Sequence, residues 1–159
     1  MNEVNGLIFK DEQIAIVAAK LKMPKAIVKD VIEEYIGRLR DRVYNGYTTK
    51  IFNICYLRVN GDLDSKETET LAYTATEVGK TVGVPSNTAY RCISFFEEQI
   101  ISDLQRERRV AIRGLIRIQL NSDGKVRIKK STSYNGEDVY VITLNSFRRR
   151  VEANARSNP

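Results

Sequence analysis

Leu21-Lys22-Met23-Pro24-Lys25-Ala26-Ile27-Val28 and, 61 residues further on, Val82-Gly83-Val84-Pro85-Ser86-Asn87-Thr88-Ala89 are the two stretches on which the fold turns. Each closes an apolar-periodic segment, makes a short turn and restarts at a proline, whose missing N–H costs nothing at the start of a helix. After Pro24 an apolar stripe runs through Val28, Val31, Ile32, Tyr35, Leu39 and Val43 at helical spacing. After Pro85 the stripe is Ala89, Cys92, Ile93, Phe96, Ile100 and Leu104. The same offset aligns Val17 with Val78 ahead of the prolines. Beyond them it aligns Ile51 with Ile112, Ile54 with Leu115, Leu57 with Ile118 and Val59 with Leu120. A register kept without a gap through helical and strand-like segments reads as a duplication.

Each unit has the same plan. The first predicts a short helix over Asp11 to Leu21, a long helix from Pro24 to about Tyr44 stopped by Asn45-Gly46, and a β segment over Thr48 to Val59 with Ile51, Leu57 and Val59 inward. The second predicts Thr74 to Val82, a Gly83-Val84 turn, a long helix to about Arg106 and strand residues Val110 to Leu120. Each long helix spans roughly 30 Å, enough to outrun its own unit and pack on a partner. Asn60 to Thr70, with Asp62, Asp64, Glu67 and Glu69, reads as a solvated connector. The division is therefore 1–60 for a truncated first unit, 61–72 for a linker and 73–159 for the second unit. That second unit continues through an Asp123-Gly124 turn, a basic strand Lys125 to Lys129, a polar loop Ser131 to Asp138 and a strand Val139 to Leu144. A final helix capped by Asn145 or Ser146 closes it.

Composition removes whole classes of function. The chain has 159 residues, 42% apolar and 29% charged, which is globular composition. It has no His, so the usual general base and commonest metal ligand are missing, and Cys55 and Cys92 are too few for a disulfide framework or an all-Cys zinc site. Glu33-Glu34 and Glu97-Glu98 are adjacent carboxylates on helices and point about 100° apart, so neither pair makes one site. No phosphate-loop glycine pattern occurs. The expectation is a non-enzyme with no cofactor, no metal and no small-molecule substrate. No apolar run approaches membrane-spanning length, and Met1-Asn2-Glu3-Val4 lacks the layout of a secretory signal. Twenty-six Lys and Arg against 20 Asp and Glu leave +6, a basic excess that permits a nucleic-acid partner without demanding one.

Helix, turn, long helix and β-sheet in this order resemble the HU/IHF family of DNA-architectural proteins. Ile112-Arg113-Gly114-Leu115-Ile116-Arg117-Ile118 and Ile51-Phe52-Asn53-Ile54-Cys55-Tyr56-Leu57 are similar to the family's Gly-Phe-Gly-x-Phe segment, with Gly114 and Leu115 on its first two positions and Asn53 and Ile54 there in the first unit. The second glycine is replaced by Ile116 and by Cys55. The resemblance implies an α+β fold of two tandem HU/IHF-like units, the second with an arm-like β-ribbon over Gln119 to Tyr140 and a C-terminal helix. It also implies arms that wedge a proline into the DNA minor groove. Pro24, Pro85 and Pro159 are the only prolines and none lies in the arm, so the wedge does not carry over, and Tyr134 at the tip is left as a stacking candidate.

The duplicated, arm-poor chain looks like the HU/IHF-like ring proteins of the head–tail region of crAss-like tailed phages. That likeness implies a virion structural protein whose partners are other copies of itself and other virion proteins. Tyr35, Leu39, Val43, Phe96, Ile100 and Leu104 are the candidate assembly seam, within the chain or between chains. The alternative is DNA binding and bending. Its candidate phosphate contacts are Lys125, Arg127, Lys129 and Lys130 on the ribbon, Tyr134, and Arg148, Arg149 and Arg150 on the last helix. Thr74 to Tyr90 also has the local style of a helix-turn-helix, against which stands a second helix too long for a recognition helix.

Overall fold

Pro24 and Pro85 take extended backbone angles and lead directly into long helices. In the computed structural model, which describes residues 11–59, 69–131 and 139–157, the chain is α+β, with five helices and two three-stranded antiparallel sheets among those residues. Helices α1 (Asp11–Leu21) and α2 (Lys25–Tyr44) are followed by strands β1 (Thr49–Ile51) and β2 (Cys55–Val59). Helices α3 (Leu71–Val82) and α4 (Ser86–Glu107) are followed by β3 (Arg109–Ile112) and β4 (Ile116–Leu120), the same order again. Then come β5 (Val126–Lys130), β6 (Val139–Thr143) and α5 (Asn145–Ser157). Helix α3 begins three residues ahead of the expected Thr74, because the Thr70 hydroxyl accepts the Tyr73 N–H at 3.1 Å and caps it.

The apolar stripes decide the packing. Val28, Val31, Ile32, Tyr35, Leu39 and Val43 of α2 and Ala89, Cys92, Ile93, Phe96, Ile100 and Leu104 of α4 are all buried and share one core. Helix α1 packs on α4, α2 on α3, and α2 on α4, so the two halves of the sequence interleave. The Cys92 thiol lies 3.8 Å from the Met23 sulfur across that interface. Gly79 permits a close approach at the α3–α4 corner. A Cβ there would stand 2.7 Å from the Val84 carbonyl oxygen, while the Gly79 carbonyl accepts the N–H groups of both Gly83 and Val84.

Beyond the start of α3, the structure departs from the sequence reading in three ways. Residues 48–59 and 110–120 are hairpins, not single strands: β1 pairs with β2 and β3 with β4. Ile54 N–H closes one turn on Ile51 and Leu115 N–H closes the other on Ile112. Neither turn carries an Asn-Gly or Asp-Gly signal, so the pattern looked continuous. Positive φ falls at Phe52 in the first turn but at Gly114 in the second, one position later.

Second, the arm-like ribbon is not formed by the described strands. Strand β5 pairs with β4, whereas β6 pairs with β2, with Cys55 opposite Thr143 and Val59 opposite Val139. The two strands close different sheets, of order β1-β2-β6 and β3-β4-β5. The first half therefore takes its third strand from the far end of the chain, and a boundary at residue 60 does not separate two bodies in space. Third, the connector is not solvated throughout. The Glu69 carboxylate binds Arg38 at 2.8 Å, approaches Arg42 at 3.4 Å and accepts the Thr74 hydroxyl, tying α2 to the start of α3.

Two glycines give opposite expectations. Gly79→Ala pushes a methyl into a backbone carbonyl and should destabilise by about 1–3 kcal/mol. Gly37, inside α2 with nothing within 4 Å of a would-be Cβ, should gain about 0.5–1 kcal/mol on change to Ala. Urea unfolding of both variants measures the difference.

Candidate functional site

The sheet β3-β4-β5 turns one face to the core and one to solvent, because side chains alternate along each strand. Val110, Ile112, Ile116, Ile118, Leu120 and Val126 fill the inner face. On the outer face Arg109, Gln119 and Arg127 stand in one cross-strand row, and Ala111, Arg117 and Lys129 in the next. Arg109, Arg117, Arg127 and Lys129 are exposed, no carboxylate shares these two rows, and among the described residues none of the four cations has an ion-pair partner. Three or more neighbouring unpaired cations of this kind attract a polyanion and release its counterions on binding.

The sequence-derived contact residues separate into two groups. Lys125, Arg127, Lys129 and Arg149 are exposed. Lys130, Arg148 and Arg150 are engaged within the chain. The Lys130 ammonium donates to the Val139 carbonyl at 2.7 Å, and the Arg148 guanidinium donates to the Val126 carbonyl and to Glu152. Arg150 is paired with Glu97 at 2.7 Å. Tyr134 lies outside the described residues. Arg109 and Arg117 were missed, although Ile116-Arg117-Ile118-Gln119-Leu120 alternates with period two and so marks Arg117 as outward.

Two buried carboxylates fasten α5 to this layout. Glu97, on α4, accepts the Asn53 N–H of the first hairpin turn at 2.9 Å with one oxygen and binds Arg150 with the other. Glu152 accepts the Val126 N–H at 3.0 Å, and that bond, with the Arg148 guanidinium beside it, holds its carboxyl below the usual range. Phe147 and Val151 are fully buried under the same helix. At the first turn the Tyr35 hydroxyl accepts the Phe52 N–H at 2.8 Å, with the two rings edge to face at 4.9 Å, and burial pushes the phenol pKa up.

The other sheet differs in chemistry. Its outward residues are Lys50, Tyr56, Arg58, Tyr140 and Ile142, and Tyr140 and Ile142 on edge strand β6 are 43% and 38% exposed. The six candidate seam residues, Tyr35, Leu39, Val43, Phe96, Ile100 and Leu104, are buried within this one chain. Both cysteines are buried, with the thiols pushed up to about 12 for Cys55 and about 11 for Cys92, so neither is a thiolate at neutral pH. Among the described residues no three metal-ligating side chains gather, and no helix is long and apolar enough to cross a membrane.

Compared with known proteins, the chain matches no family model and no curated protein.

The carboxylate anchors give two expectations. Glu97→Ala, which strips the Asn53 N–H and Arg150 of their acceptor, should cost about 2–3 kcal/mol, with faster hydrogen exchange at Asn53. Glu152 has a lowered folded pKa, so its stabilisation is complete above the ordinary value of 4.5 and is lost as pH falls through the lower folded value. Glu152→Gln should therefore cost about 1 kcal/mol near neutral pH and almost nothing in strong acid, measured by urea unfolding across that range.

Proposed function

We propose that the chain is a non-enzymatic structural protein, an HU/IHF-like pair of units carried on one polypeptide, serving as an oligomeric ring component of the head–tail region of a tailed-phage particle. The observation that carries this reading is the closure of the α2–α4 seam inside one chain. The two long helices cover each other within one polypeptide, so the outer surfaces of each chain remain for contact with other copies. Tyr140 and Ile142, exposed on β6 beside the half-buried Tyr56, form the apolar strip best suited to such a contact, as clustered exposed apolar groups mark interaction surfaces. A contact between two different surfaces is heterologous and closes into a ring when the rotation per copy allows.

A second reading, duplex DNA binding, is favoured by one specific observation, the exposed cations Arg109, Arg117, Arg127 and Lys129 on one sheet face, which have no ion-pair partner among the described residues. The two readings use opposite sheets and are compatible in a ring through which DNA passes.

Size-exclusion chromatography with light scattering, with and without duplex DNA at about 50 and 200 mM salt, separates them. The structural reading expects a species several times the 18.2 kDa chain without DNA, reduced to a single chain by Tyr140→Ser with Ile142→Ser. A single chain under every condition overturns it. The DNA reading expects a salt-sensitive complex that Arg117→Ser with Arg127→Ser abolishes.

A further inference from the structure

The 61-residue offset places Gly114 where Asn53 stands in the first hairpin, and Ile36 where Glu97 stands on the helix beneath it. In the first hairpin an oxyanion is built in: the Glu97 carboxylate sits on the Asn53 N–H, balanced by Arg150. The second hairpin repeats the turn but not the carboxylate, because Ile36 is an alkyl chain. Positive charge gathers there instead. The Arg40 side chain lies against Gly114, with its Cδ 2.6 Å and one terminal nitrogen 3.3 Å from the position a Cβ would take. Arg113 and Arg117 flank a concavity of about 280 Å³ whose lining includes Gly114 and Ser131. Among the described residues none of the three guanidiniums has a carboxylate partner.

The counterparts of Arg113 and Arg117 in the first half are Phe52 and Tyr56. The cations are therefore particular to the second hairpin and not a requirement of the fold. Planar guanidiniums present forked donors that match the oxygens of a phosphate, and several around one concavity suit its charge better than a single carboxylate. We propose that the concavity at the second hairpin turn, between Arg113 and Arg117 with Arg40 alongside, is a binding site for a phosphate group. The phosphate belongs either to a small phosphate-bearing molecule or to the backbone of a duplex. The inference does not depend on assembly, which light scattering tests separately.

Amide and Arg side-chain NMR spectra of the full chain, titrated with inorganic phosphate, test it. The site predicts saturable shifts at Gly114, Arg117 and the Arg Nε–H groups. These should be lost in Arg113→Gln with Arg117→Gln, retained in Lys20→Gln with Lys22→Gln, and absent with acetate at equal concentration. Both Arg side chains are exposed, and the dispersion of the same spectra reports whether the variant is folded. A short duplex distinguishes the two sources. If the phosphate belongs to a backbone, duplex shifts the same resonances, and the double variant lowers the slope of log affinity against log salt by about 0.9, the loss of one phosphate contact. If duplex leaves those resonances unmoved while phosphate saturates them, the ligand is a small phosphate compound. No saturable response to phosphate in the native chain, an equal response to acetate, or one that survives the double variant overturns the proposal.

Discussion

Mutual burial of two long apolar helix stripes within one polypeptide is the constraint from which the rest of the architecture follows. The stripes of α2, through Tyr35, Leu39 and Val43, and of α4, through Phe96, Ile100 and Leu104, are buried in one shared core. Packing them together leaves each hairpin turn beside the other half's helix. The first turn is held by Glu97 of α4, and the second receives Arg40 of α2. The chain is thus knitted by contacts between its halves, and neither half offers a complete core alone.

Much of this was legible before any coordinates. The positions of Pro24 and Pro85 and the six-residue stripes behind them set both long helices, and α2 and α4 end within two residues of the positions read from the sequence. Alternation in Lys125 to Lys129 marked an exposed basic strand. The hairpins were hidden because Ile51-Phe52-Asn53-Ile54 carries a positive φ on a buried phenylalanine. Such a turn is stabilised by Tyr35 from another element, not by local turn chemistry. The destination of β6 was equally invisible, since Val139 to Thr143 reads as a generic strand and its partner lies in the other half. Arg148 and Arg150 looked like surface cations because nothing nearby in sequence announces Glu152's bond to Val126 or Glu97's position under α5.

Repetition also made divergence readable. Two hairpins built on one plan carry different outward residues, Arg109, Arg117, Arg127 and Lys129 on one sheet and Tyr56, Tyr140 and Ile142 with Lys50 and Arg58 on the other. Where one copy holds an internal carboxylate, the other holds arginines. At matched positions of two halves with the same element order, differences stand out against packing demands that both halves share.

The return of β6 to β1-β2 sets the order in which the molecule can mature. During translation β2 emerges long before its neighbour exists, and until residues 139–143 leave the ribosome it presents an open edge, the kind of surface that recruits stray strands. Pairing so distant in sequence is slow to form, and the nascent chain must wait for it. A chain interrupted after β5 would keep the β3-β4-β5 sheet but leave β2 without its β6 neighbour, so the first hairpin is completed by the segment made after everything else in the fold but α5.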